Sequence, residues 1–459
     1  MRTAPWVLPL LGAAALGSAI ILYQVDPAAY LRVLGILMLQ PSRPPFLDAV
    51  QIPALVECWR QGVDVYVTAP CDPLDRTLAY SPLWLRATFL PSDPAWTIWL
   101  GLALTSAFVG SLAFLPRPRS GQGVVVMALA LCSSMPVFAL ERGNMDVVMF
   151  VLVAFGGRLW LGRFPLRSAG YLVVAFAGLL KFYPLVLFLL FLRERIGSFI
   201  ALCLAGAALL AGFVWYFQDE LVEMARNFPS LGIFTDTFGY RVLPSGLGTM
   251  LQRLFDAAGA RTEFTQTLPT NPLFAVGVLG FLLITALVLA IRLATRPAFR
   301  SSLQRIGADE AGFLVIGAAL VCGCFFVGQS VSYKGIHFLF VVPGLFALAT
   351  APFPGATRRL FRTTAAMVLA LMWGLTLQQL VARLSGGTAR PMGGSAAMNI
   401  YWIGHELAWW WVVSVLLAIL FCFVAQSPVW PALAGLSRRL VPAARLGSGR
   451  EEESDRPVP

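Results

Sequence analysis

The sequence predicts an all-α, polytopic transmembrane bundle of about twelve passes, GT-C-like in outline, with a structured first external loop. Three observations predict the membrane bundle. Of 459 residues, 58% are hydrophobic and only 12% charged, with a mean hydropathy of +0.75. Soluble chains carry roughly 25% charged residues, so a soluble enzyme, a disordered chain, a collagen-like fibre and a disulfide scaffold are excluded. Apolar runs near the roughly 20 residues that a spanning helix needs recur along the chain. The basic residues behind the net charge of +11 fall in clusters between those runs. That is the pattern of cytoplasmic loops under the positive-inside rule, and no nucleic-acid module accompanies it.

The first run, 6–25, reads as a retained spanning helix, because it is long and more spans follow. The stretch 26–94 lacks a long apolar run and reads as one external loop, with an interfacial segment at 30–39. Cys58 and Cys71 share this loop, and an external compartment permits a disulfide between them. The other five cysteines lie in apolar runs and read as small hydrophobes. Further spans read as 95–115, 124–140, 146–161, 198–217, 272–293, 311–328, 336–352, 364–384 and 407–424. A second external loop, 218–271, separates the halves. Residues 1–425 thus form one membrane domain, and 426–459 read as a disordered cytoplasmic tail.

The run 169–192 decides the topology. Arg163 and Arg167 precede it, and Arg193 and Arg195 follow it, so both ends read as cytoplasmic. Lys181, Tyr183 and Pro184 sit in its middle, and proline breaks a helix. Two legs of about 20 and 14 Å result at 1.5 Å per residue, short of the roughly 30 Å core. A re-entrant or strongly broken pair is expected, with both termini inside. This count gathers 26–94, 141–146, 181–184 and 330–337 at one external face.

Those segments hold the unusual polar groups. Glu141, Arg142, Asn144 and Asp146 sit in a tight junction between apolar runs. Gly143 ending one helix and Asn144 capping the next would make an ordinary turn. Charges near hydrocarbon, at about 2.5–3.5 kcal/mol each near a span centre, also mark function by default. Lys181 is either a lysine snorkelling to the interface or a cation for a phosphate. Tyr333, Lys334 and His337 form an ordinary loop or a second cationic or proton-handling arm, with Lys334 and His337 on one face if helical. His405, flanked by Trp and Tyr, reads as interfacial. Asp48, Asp64, Asp72 and Asp75 compete equally on chemistry as a loop base. There is no P-loop, GxGxxG, HExxH, CxxC or GxSxG element, and two histidines without a Cys/His cluster argue against a transition-metal enzyme. No metal or other cofactor is expected, though Asp48 with Asp146 is the pair that would hold a divalent ion.

In order along the chain these patches resemble a known family. Asp48 is followed by Gly62-Val63-Asp64-Val65-Tyr66, by Tyr80-Ser81-Pro82-Leu83, by ERGNMD from Glu141 to Asp146, and by LKFYPL around Lys181 and Tyr183. The set resembles the GT-C membrane glycosyltransferases of family 87, which include mycobacterial polyprenol-phosphate-mannose-dependent mannosyltransferases. It covers roughly residues 1–195, and SYKGIHFLFVVP fits a later basic element. Many relatives carry Gly-Gln-x-Asn where this chain has Arg142-Gly143-Asn144, so sugar and acceptor stay open.

The resemblance implies inverting transfer of a mannose or another hexose or pentose from a polyprenyl-phosphate-sugar donor. The acceptor would be a lipid or glycan at the external face of a bacterial inner membrane, among membrane lipids. Asp48 would be the general base, and Arg142, Lys181, Lys334 and His337 would surround the donor phosphate. Glu141, Asn144, Asp146, Tyr183, Asp64 and Tyr80 would hold the sugar or acceptor, or support those groups. The alternative is a secondary transporter or a lipid-linked-saccharide flippase or ligase. A transporter would place its site near the midplane between repeats, and no second broken helix is legible in the later half.

Overall fold

Apolar segments with no water to bond must satisfy their backbone within themselves, which favours helices. The computed structural model describes residues 4–39, 41, 43, 45–228, 237–353, 355–386 and 395–431. In chain order its helices are α1 (Val7–Val25), α2 (Pro27–Ile36), α3 (Gln51–Arg60), α4 (Thr97–Ser111), α5 (Gly121–Leu131), α6 (Ser134–Arg142), α7 (Met145–Trp160) and α8 (Leu166–Lys181). Then come α9 (Ile196–Tyr216), α10 (Gln218–Arg226), α11 (Val242–Ala257), α12 (Glu263–Thr267), α13 (Pro272–Thr295) and α14 (Pro297–Arg305). Last are α15 (Ala308–Phe326), α16 (Phe338–Thr350), α17 (Gly355–Met372), α18 (Gly374–Leu384) and α19 (Ala396–Ala425). Strands β1 (Thr237–Phe238) and β2 (Ser330–Val331) form one short antiparallel pair.

Among the described residues, seven helices are long and apolar enough to cross a membrane, or up to nine if two bent pairs each count once. The bends are 50° between α5 and α6 and 75° between α17 and α18. The expected straight span at 364–384 is therefore broken, at Trp373. Helices α7 and α8 have 16 residues each, about 24 Å of helix. Burial sorts the bundle: 78% of the α15 span is enclosed, against 11% for α1, α9 and α13. The first is the hub of the core, and the others turn Leu, Ile and Val side chains outward, as a lipid-facing helix does.

The run 169–192 folds back as expected. Phe182, at φ 53°, ends α8, and a 3-10 segment, Tyr183–Arg193, returns beside it. Tyr171 in α8 donates to Glu194 at 2.9 Å, with Leu190 O 3.3 Å from the same hydroxyl. Arg167 pairs with Glu194 at 3.0 Å, so both ends of the hairpin meet. The second leg is 3-10 rather than α, which stretches its 11 residues to about 22 Å, longer than its α-helical expectation.

The first loop is structured. Cys58 and Cys71 form a disulfide, and Leu55, Val65, Tyr66 and Leu85 make a small apolar core with Met145 of α7. The interfacial segment expected at 30–39 contains the short helix α2. The second loop is mostly helical: α10, α11 and α12 occupy it, and Trp402 of α19 packs on Gly246 of α11. Helix α19 begins well before the expected span at 407. The expected disordered tail lies mainly at 432–459, outside the described residues, as does 229–236 in the second loop.

Candidate functional site: a buried charge cluster at one end of the bundle

The junction between α6 and α7 builds the site's centre. Gly143 takes the left-handed conformation, φ 62°, that ends α6, and a side chain there would also crowd Ala49 and Phe46. Asn144 caps α7, its side-chain oxygen accepting from Asp146 N at 3.0 Å. Its amide nitrogen then points to Asp48 Oδ2, at 2.8 Å. The expected turn is present, and the turn also serves the charge cluster.

Asp48 is held against this junction by backbone bonds from Phe46 N to Glu141 O and from Asp48 N to Arg142 O, both 2.8 Å. Arg142 forks onto its carboxylate, Nε to Oδ2 at 2.8 Å and Nη2 to Oδ1 at 2.7 Å. Arg76 Nη1 donates to the same Oδ1, and Arg76 also pairs with Asp72 at 2.9 Å. The Asp48 side chain is 5% exposed. Burial pushes its pKa up, but the Arg142 hydrogen bonds and the charges of Arg142 and Arg76 outweigh that and hold it below the usual carboxylate range. It is therefore charged at neutral pH and, while clamped, a weak base.

A second carboxylate, Asp146, lies in the first turn of α7. Asp146 Oδ2 pairs with Lys181 Nζ at 2.8 Å, and Oδ1 accepts from Tyr183 OH at 2.8 Å. Tyr183 OH also lies 2.7 Å from His337 Nε2. The hydroxyl has one proton, given to Asp146, so this network assigns the proton between Tyr183 and His337 to Nε2. Nδ1 of His337 then has no partner among the described residues. Lys181 does not snorkel: it is 8% exposed and lies over the rings of Tyr80 and Tyr333, at 4.8 and 6.0 Å. Trp84 Nε1 donates at 3.0 Å to Leu180 O, a carbonyl near the break in α8.

Lys334 and His337 share the 3-10 segment Ser332–His337 and both meet Tyr183. Positions three apart eclipse in such a helix, so their spacing does place them on one face. Lys334 donates to Ser330 Oγ at 3.2 Å and has no carboxylate at ion-pair distance among the described residues.

The structure thus joins Asp48, Arg142, Asn144, Asp146, Lys181, Tyr183, Tyr80, Lys334 and His337. Glu141 is buried beside them and contributes its backbone carbonyl to Phe46. Asp64 stays apart: it accepts from Tyr66 N at 3.0 Å and lines an outer groove. Arg76 was not singled out by the sequence, and its only local signal is Asp72 four residues earlier. His405 is 16% exposed and bonds Glu406 Oε1 at 3.0 Å within the bundle. Both line a small, largely apolar cavity of about 20 Å³ with Ser332 and Gly374. Among the described residues, no three His, Cys, Asp or Glu side chains come close enough to hold a metal. The chain matches no protein-family model, no curated protein and no solved structure.

Proposed function

We propose that the protein transfers a sugar from a polyprenyl-phosphate donor to a lipid or glycan acceptor, as the GT-C enzymes of family 87 do. The observation that carries this reading is the convergence of Asp48, Arg142, Asp146, Lys181 and Lys334 at one end of an apolar bundle. Buried charges there cost stability and are kept for a charged reactant. A polyprenyl phosphate has the matching shape: an apolar tail for the bundle's flank and an anion for the cations.

In this reading Lys334 and Arg142 take the donor phosphate. A phosphate competes with Asp48 for the guanidinium groups. Once Arg142 and Arg76 turn to it, the Asp48 carboxylate is released and its basicity rises. It takes the proton of the acceptor hydroxyl while that oxygen bonds to the anomeric carbon. The bond from that carbon to the phosphate oxygen breaks with inversion, and polyprenyl phosphate leaves with the electron pair. Lys181 keeps Asp146 charged and in place, and Tyr183 and His337 hold its other oxygen. In this reading the site faces the external side of a bacterial inner membrane, which suits the basic clusters between the other ends of the spans.

The test is transfer of radiolabelled mannose from polyprenyl-phosphate-mannose to a membrane lipid extract. Asp48→Asn is expected to lose about 10²–10⁴-fold in rate. Equal transfer by both proteins would move the base to another carboxylate. No transfer from any polyprenyl-phosphate sugar would contradict the reading.

One observation favours a second reading. The 75° break between α17 and α18 supplies the later broken helix that the sequence did not reveal. Beside it lie His405 and Glu406, giving each half a polar break, as transporters often have. A transporter would move a lipid-linked saccharide across proteoliposomes with its glycosidic bond intact.

A further inference from the structure

The outer groove that holds Asp64 is distinct from the charge cluster. It is an open, shallow groove of about 630 Å³ between the first loop and α10, lined by Trp59, Asp64, Tyr66, Asp219, Glu220 and Glu223. Small-ligand sites run from roughly 300 to 1,000 Å³. Tyr66 lines it from within the loop's core. Its side chain is 2% exposed, yet its hydroxyl has no hydrogen-bond partner among the described residues. Buried hydroxyls are nearly always bonded, and leaving one unmade is costly. Burial and the nearby Glu220 push the Tyr66 pKa well up, so the hydroxyl keeps its proton.

The remaining lining limits the ligand. Four carboxylates face two exposed guanidiniums, Arg86 at 3.4 Å from Glu220 and Arg226 at 3.5 Å from Glu223. That balance repels an anion. Among the described residues no three of the carboxylates converge as metal ligands do. What remains is a ligand rich in hydroxyl donors with an apolar face. Carboxylates accept from hydroxyl groups, and an indole stacks on a sugar's C–H face. The disulfide from Cys58, the residue before Trp59, anchors the aromatic wall.

We infer that this groove binds an uncharged saccharide, as a distal subsite for a glycan acceptor. The inference rests on the transferase reading for its role. The position agrees: Tyr66 packs in one apolar cluster with Met145, the neighbour of Asp146.

The test uses the full chain in nanodiscs and saturation-transfer NMR. The probes are neutral disaccharides of mannose, glucose, galactose and arabinose, with mannose 6-phosphate as the anionic comparison. Hydrolysis of polyprenyl-phosphate-mannose without acceptor is followed in parallel. At least one neutral disaccharide should give a signal, and mannose 6-phosphate about tenfold less. Trp59→Ala and the gentler Glu223→Gln should each weaken the signal several-fold while donor hydrolysis stays unchanged. No signal from any neutral disaccharide, equal binding of the phosphorylated sugar, or full binding by both variants would overturn the groove. Donor hydrolysis decides the transferase reading separately, because none of these groove residues belongs to the charge cluster.

Discussion

The two ends of the bundle both carry ion pairs, but of different kinds. At one end Lys181 and Asp146 are 8% and 0% exposed, and Asp48 takes donors from residues 76, 142 and 144. At the other, Arg158 and Asp309 are 51% and 35% exposed, Arg119 at 46% exposed reaches a Glu310 that is 4% exposed, and Arg167 and Glu194 are 22% and 18% exposed. Exposed pairs contribute little and need only suit the aqueous face. A buried pair must recover a large desolvation cost and gains little net stability. The first end, where both partners of Lys181–Asp146 are buried and three residues converge on Asp48, gains least in stability for its cost, and the second keeps at least part of each pair in water.

The largest effect that separates the ends comes from Lys181→Met. It strands a buried Asp146 carboxylate and should lower stability by about 3–5 kcal/mol, seen as thermal unfolding in detergent. Adding Asp146→Asn should restore most of that stability but not transfer, which a purely structural pair would restore together. Next, replacing both Cys58 and Cys71 by serine should cost about 3 kcal/mol, the loop-closure figure for about 15 residues, and loosen the first loop against α7. A reducing agent should reproduce the shift in the wild type and leave the variant unmoved.

A smaller effect depends on pH. The folded Asp48 pKa is depressed, so its clamp stabilises fully above the unfolded carboxylate value of about 4 and fades as pH falls through the folded value. Asp48→Asn should lower stability near neutral pH by about 1–3 kcal/mol and lose part of the wild type's acid slope. Unfolding curves from pH 7 to pH 3 measure both. The smallest effect belongs to the other end. Arg158→Gln should change stability by under about 1 kcal/mol and leave transfer unchanged.

Much of this contrast was legible in the sequence. Arginines flanking 169–192 revealed the hairpin, and proline at 184 its turn. ERGNMD showed both the helix junction and its charges, since Gly143 and Asn144 are turn residues by conformation. Arg76 was hidden, because a loop arginine is ordinarily solvated and only the fold brings it 28 residues back to Asp48. The break at Trp373 was hidden too, since neither proline nor a charge marks it. The pairing of His405 with Glu406 and its burial among aromatic neighbours were hidden, since the sequence shows only the flanking Trp and Tyr. Short-range pattern reports helices and turns; burial of a polar group depends on segments distant in the chain.

The central claim is that the buried cluster receives a polyprenyl phosphate. Direct binding of polyprenyl phosphate to the protein in nanodiscs, compared between wild type and the folded Lys334→Met protein, tests it most plainly. The account predicts binding by wild type and a loss of about tenfold or more in the variant. Equal binding by both, or none by wild type, would contradict it.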